Sequence, residues 1–347
     1  MIVDRAYGAL LGLAMGDALG MPTQFLSRET VAARYGVLDG FRDAPEENEI
    51  SRGMARGTVT DDTDQAVILG RLLVAGGGTV DLRRFADELL AWEQRMIGQG
   101  SADLLGPSSR KAITLIAEGA PPEETGRWGD TNGASMRIAP VGVAFPARPL
   151  DALVDAVAAV SRVTHNTGVA IAGAAAVAAA VSAGVAGARV PAALEIAVEA
   201  AERGVRRGYY MAGADVASRI RWALDIVRGR QEDEALDLVY RLVGTGVATQ
   251  EAVPAALAIC SLFPDDPWKV ARYAASLGGD CDTIAAIAGA VAGACAGAGA
   301  FPASAVATLE AANPDLGLAA LAVELIKLRT NTAEPATAQS GAEVSAP

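Results

Sequence analysis

The 347-residue chain has little cysteine, histidine or lysine, and each shortage excludes a class of chemistry. Cys260, Cys281 and Cys295 are an odd set without C-x-x-C spacing, which excludes a disulfide framework and a thiolate zinc site and makes a reducing cytoplasm the expected location. One histidine, His165, rules out any mechanism that needs a pair, and without a G-x-S-x-G elbow a serine triad has no support. Lys111, Lys269 and Lys327 are the only lysines, and 29 basic against 41 acidic residues leave a net charge of −12. Binding to a nucleic-acid polymer requires the opposite balance, so any anionic ligand must be held locally. Aromatics make up 5% of the chain, and no run of alternating strands is present.

What is abundant is alanine, glycine and helical periodicity. Leu69, Leu72, Leu73 and then Phe85, Leu89, Leu90 recur at helical spacing, as do Ile220, Leu224, Ile226 and Val227. Short Gly-, Pro- or Asp-rich loops separate these segments, so an all-α class is expected. Composition is even up to Leu328, predicting one domain over 1–328. Beyond it the polar, Ala- and Pro-rich segment 329–347 reads as a disordered tail. Two small-residue stretches, 168–187 and 283–300, approach membrane-spanning length, but they lack aromatic belts, and buried central helices are expected instead. No membrane partner is therefore expected.

Two motifs place acids at the start of a helix. Gly57-Thr58-Val59-Thr60-Asp61-Asp62-Thr63-Asp64 precedes one apolar helical run, and Gly278-Gly279-Asp280-Cys281-Asp282-Thr283 precedes another. Either one alone reads as an ordinary helix cap. Together they supply four carboxylates and two hydroxyls, an all-oxygen set suited to hard divalent cations such as Mg²⁺ or Mn²⁺. Four carboxylates balance about two such ions, whereas four uncompensated carboxylates at one point would repel. A third motif, Gly129-Asp130-Thr131-Asn132-Gly133-Ala134-Ser135-Met136-Arg137, is a glycine-bearing turn whose amides could cradle a phosphate, although N-G is first of all a turn signature. His165, in T-H-N-T-G, borders a helix start and reads equally as a structural residue.

Four motifs in order, GALLGLAMGDALGMP, TVTDDTD, GDTNGASMRIAPVG and GGDCDTIAAIAGAVAGA, strongly resemble the ADP-ribosylglycohydrolase family over residues 5 to 328. The resemblance implies a compact all-α fold with a binuclear Mg²⁺ or Mn²⁺ centre in a cleft. It implies metal ligands at Thr60, Asp61, Asp62, Asp280, Asp282 and Thr283, and a diphosphate cradle at Asn132, Gly133, Ala134 and Ser135. His165 matches a position that contacts ligand. Asp103, in a D-L-L-G segment where the family often has D-I-G, resembles an acid beside the scissile bond. Gln24 stands where several members have a glutamate, and it can hydrogen-bond but not act as a base.

The implied activity is metal-dependent hydrolysis of an N- or O-glycosidic bond that releases ADP-ribose from a protein or small-molecule acceptor, with Asp61, Asp62 or Asp103 taking the proton. Hydrolysis of a small ribosyl compound or nucleoside is the alternative that Gln24 and the D-L-L-G segment leave open. A non-catalytic ADP-ribose-binding or structural protein is the third reading, which the intact acidic motifs disfavour.

Overall fold

A computed structural model describes residues 1–98 and 105–333, so Asp103 lies outside the described residues. Those residues are helical and contain no strand, only two isolated bridges, and they form the single all-α domain expected. Alanine-rich helices form readily because alanine loses no side-chain entropy on folding. The Gly168–Val185 helix is apolar on every side and buried along its whole length, as befits a helix in the middle of a domain. It is the one described helix long and apolar enough to cross a membrane, and it is enclosed by the protein.

The functional region is positioned by a second pair of helices, Ile2–Gly20 and Cys281–Ala296. Gly8, Gly12, Gly16 and Gly20 lie four residues apart, hence along one face of the first helix. That face meets the Cys281 helix backbone to backbone. A Cβ on Gly12 would stand 2.1 Å from the Gly289 carbonyl oxygen, and one on Gly289 only 2.0 Å from that of Gly12. Toward the cavity end the same packing brings Gly20 against the Cα of Asp282, where a Cβ would stand 2.3 Å away. No side chain separates the two backbones along this line, so the spacing between Asp17 and Asp282 is fixed by main-chain contact.

At the other end the fold corrects the expected boundary. The last described helix, Leu318–Ala333, runs past Leu328. Arg329, which the sequence assigns to the tail, is buried and donates to the carbonyls of Gly142, Phe145 and Ser182. The arginine was misassigned because the loss of large apolar residues says nothing about a cation satisfied by carbonyl oxygens.

Gly289→Ala should destabilise the protein by about 1–3 kcal/mol in urea unfolding, because neither facing backbone can step aside. Alanine's helix propensity offsets at most about 1 kcal/mol of that. Gly98→Ala, with no heavy atom within 4 Å of the added carbon, should leave the midpoint unchanged or slightly raised.

Candidate metal centre and ligand cavity

Asp17 is the only acid in the buried part of the first helix, and its carboxylate accepts four kinds of hydrogen bond from the start of the Asp61–Ala75 helix. The amides of Thr60 and Thr63 donate to it at 2.9 and 3.1 Å, and their hydroxyls at 2.8 and 2.5 Å. Asp17 thus caps a helix from another part of the chain, satisfying amides that have no partner within their own helix. With that turn anchored, Asp61 and Asp62 face a cavity of about 560 Å³. Gln65 donates to Asp61 Oδ2 at 2.8 Å and orients it from behind.

The second acidic motif reaches the same cavity through a glycine turn. Gly278 and Gly279 have φ of +82° and +72°, which side-chain-bearing residues rarely adopt. A Cβ on Gly279 would also stand 2.4 Å from the Thr245 carbonyl oxygen. Phe25 N–H donates to the Gly279 carbonyl and Gly279 N–H to that of Leu26, clamping the turn. Asp280, Asp282 and Thr283 follow onto the wall of the cavity that Asp61 and Asp62 also line. Asn132 holds Asp280 by donating from Nδ2 to Oδ2.

The acids are short of countercharge. Burial, and then repulsion from the neighbouring aspartates, pushes the carboxyls of Asp61, Asp62 and Asp282 well above the usual carboxylate range. Asp17 and Asp280 rise to about 6, since the hydrogen bonds they accept offset part of the cost of burial. Asp62 Oδ1 and Asp282 Oδ1 are buried with no hydrogen-bond partner. Unpaired buried oxygens of this kind are costly and call for a missing partner. Arg137, fully buried with its guanidinium lowered to about 10 by burial, is a cation beside Asp61, while Arg110 and Lys111 on the cavity wall are exposed. Among the described residues no three His, Cys, Asp or Glu side chains already close around one point, so the donors form a lining rather than a finished cage. Their all-oxygen character, negative charge and orphaned oxygens fit hard divalent cations. Two helices also begin here, and their dipoles favour negative charge at this end.

Five of the six expected metal-binding residues, Asp61, Asp62, Asp280, Asp282 and Thr283, therefore meet on one cavity. Thr60 does not reach it: its hydroxyl donates to Asp17 and Asp62 as part of the helix cap. Gln24, Asn132 and Gly133 line the cavity as expected. Ala134 and Ser135 turn into the core instead, with Ser135 against the Gly168 helix near Gly173. His165 is also a correction. It is buried behind the loop, with Nε2 3.0 Å from Thr131 Oγ1, Nδ1 2.7 Å from Thr164 Oγ1, and its ring against Gly133. Burial and the nearby Arg137 hold it well below the usual histidine range, so it supports the ligand loop as a neutral ring.

Asp17, Gln65 and Arg137 are site residues that the motifs did not single out. A signal for two of them existed: Asp17 is a lone acid and Arg137 a lone cation in otherwise apolar stretches, and such groups are buried only with partners. Phe25, at φ +59° and 54% exposed, forms the rim beside Gln24.

The family model for ADP-ribosylglycohydrolase matches residues 1–335, and the chain belongs to that family, a class of glycosyl hydrolases. An uncharacterised protein of Escherichia coli (strain K12), YegU, is 37% identical over 314 residues, covering 90% of this chain and 94% of that one. The ADP-ribosyl-[dinitrogen reductase] glycohydrolase of Rhodospirillum rubrum is 33% identical over 169 residues, 47% of this chain and 52% of that one. A solved structure titled ADP-ribosylglycohydrolase-related protein complex superposes with a TM-score of 0.68 at 26% identity, covering 94% of this chain and 98% of the other.

The raised carboxyls make a signed prediction for the metal-free protein. The folded cluster binds more protons than the unfolded chain between the ordinary aspartate value and the folded values, about 6 for Asp17 and Asp280 and well above the usual range for Asp61, Asp62 and Asp282. Its stabilising contribution is therefore full at low pH and lost as pH rises through that window. In chelator, the melting temperature should fall as pH rises from about 4 through about 6. Asp62→Asn should flatten the slope, and an equal slope in that variant would show that the cluster does not cause it.

Proposed function

We propose that this enzyme hydrolyses the N- or O-glycosidic bond between an ADP-ribosyl group and its protein or small-molecule acceptor. We propose that it does so with two Mg²⁺ or Mn²⁺ ions held by Asp61, Asp62, Asp280, Asp282 and Thr283. The observation that carries the reading is the meeting of two helix-start carboxylate pairs on one cavity, with orphaned oxygens on Asp62 and Asp282. The relatives whose names state an activity, the Rhodospirillum rubrum enzyme and the ADP-ribosylarginine hydrolase Tri1 of Pseudomonas putida, support the substrate class.

When bound, the cations supply Lewis acidity and make water more acidic. The protein supplies position and a proton acceptor. Asp61 is held by Gln65 and Asp62 by the Thr60 hydroxyl, and the proton of the attacking water is assigned to Asp61, Asp62 or Asp103, on a carboxylate oxygen that does not hold a cation. Asp103 keeps its expected role beside the scissile bond only as part of this proposal. The positive charge that builds on the sugar as the bond breaks is stabilised by the surrounding carboxylates. Gln24 lines the cavity with its Nε2 donating to the Met21 carbonyl, and the Asn48 side chain secures its backbone oxygen. It can contribute hydrogen bonding but not general-base catalysis.

The Asn132–Gly133 turn is proposed to face the diphosphate, since a Cβ on Gly133 would strike the His165 ring at 2.8 Å and the backbone lies open on the cavity side. Lys111, on the same wall, adds positive charge for an anionic ligand. The three cysteines are free and buried, in keeping with a cytoplasmic setting. Gln24 favours one further reading, a small ribosyl compound or nucleoside as the substrate.

Purified protein with Mg²⁺ or Mn²⁺ should release ADP-ribose from at least one of Arg-linked peptide, Ser-linked peptide or O-acetyl-ADP-ribose, and chelator should abolish the release. Ribose release from nucleosides alone would transfer the assignment to the second reading, and silence across the panel despite ADP-ribose binding would indicate a binding protein. Asp282→Asn should lower turnover by at least about 10³-fold and remove the Mn²⁺ isotherm in calorimetry, while leaving the chelator-treated protein at least as heat-stable as the parent. Gln24→Ala should keep that isotherm and change the ranking of substrates, and an unchanged ranking would exclude Gln24 from specificity.

A further inference from the structure

The first turn of the Asp61 helix separates two cavities. Asp61 and Asp62 line the one described above, while Thr60 and Asp64 line another of about 610 Å³ on the opposite side, closed by the 52–59 loop and the 312–316 segment. We infer that this second cavity binds a small ligand that joins a flat nitrogen-bearing ring to a phosphate, the chemistry of a mononucleotide.

The floor suits the ring. Val67, Ile68 and the nearly buried Trp92 make it apolar, and Asp64 stands among them. Asp64 Oδ2 accepts from Trp92 Nε1 at 2.8 Å, and no other side chain or backbone group among the described residues donates to this carboxylate. A carboxylate in an apolar floor needs more donors than one indole supplies, and the amino and ring N–H groups of a base are such donors.

The mouth suits a phosphate. Arg52, Arg71 and Arg95 surround it, on a chain whose net charge is −12. Two are held in place through carbonyl oxygens, and the three arginines outnumber the two acids of the lining, Asp64 and Asp315, although Arg71 and Arg95 also act on the Asp64 carboxylate. Arg71 donates to Asp315 and Leu316 at 2.9 and 3.2 Å, and Arg52 donates through Nε to Glu46 at 2.7 Å. Guanidinium forks of this kind match the oxygens of a phosphate. The base-and-phosphate arrangement is supported by neither end alone: a rim of arginines takes any anion, and an apolar floor takes any ring, but Asp64 selects a ring that carries N–H donors.

The site is independent of the hydrolase reading and is tested without turnover. In chelator, calorimetry with AMP should give a one-site isotherm for the parent protein and for Asp282→Asn, which alters only the first cavity. Arg95→Glu, an exposed position, should weaken AMP at least tenfold, and Asp64→Asn should do the same while circular dichroism and melting confirm that both variants are folded. The inference is overturned if Arg95→Glu leaves affinity unchanged, or if Asp282→Asn abolishes binding and so places AMP in the first cavity. Inorganic phosphate binding as tightly as AMP would show that the ring contributes nothing, and the absence of heat with AMP at millimolar concentration would remove the site.

Discussion

The close backbone contact between the Ile2–Gly20 and Cys281–Ala296 helices is the constraint on which the rest of the site depends. Neither Gly12 nor Gly289 can carry a side chain without striking the facing carbonyl, so the helix axes sit closer than side-chain packing would allow. That proximity places Asp17 and Asp282 on neighbouring faces at the cavity end, and Asp17 then captures the start of a third helix. Two acidic motifs more than 200 residues apart are thereby fixed to one frame. The glycines lose helix propensity, and the density of backbone packing offsets that loss.

The assembled site opposes folding unless something positive enters it. Burial and mutual repulsion raise the carboxyls of Asp61, Asp62 and Asp282, and one buried guanidinium is too little to balance them. A protein selected for stability alone would not keep this cluster, and a functional site commonly holds such cost within an otherwise well-packed body. The surrounding helices absorb the cost because they are almost wholly apolar and closely packed. The cost of the empty site and the cation binding proposed for it are thus two expressions of the same charge.

Much of this was legible in the sequence, for identifiable reasons. Helical class followed from periodicity and alanine content, and the two acidic helix starts followed from residue type at fixed spacing. Which side of each motif faces the cavity was not legible. In T-D-D-T-D, Asp61 and Asp62 reach one cavity, Asp64 another, and Thr60 neither binds at the first nor stands free of it. Those assignments depend on where Asp17 grips the turn, a contact across more than 40 residues. Ala134, Ser135 and His165 were misplaced for a related reason: motif membership gives proximity to a ligand, while the direction of each side chain is set by tertiary packing. Arg329 was misassigned because its partners are backbone carbonyls, which leave no trace in composition.

The misplaced histidine has a role that the geometry makes specific. Asp61 accepts from Gln65, whose Oε1 accepts from Arg137 Nη1 at 2.7 Å. Arg137 Nη2 donates to Thr164 Oγ1, which bonds His165, and His165 bonds Thr131 beside Asn132. Asn132 returns to the acidic cluster at Asp280. The chain of contacts runs behind the cavity from one carboxylate group to the other and includes the turn proposed to hold the ligand. Every group in it but the half-buried Thr131 is buried, and a buried polar network is stable only when each member keeps its partner. The single histidine, a neutral ring bonded at both nitrogens, joins the Thr164 and Thr131 ends of this network and so fixes the Asn132 turn from behind.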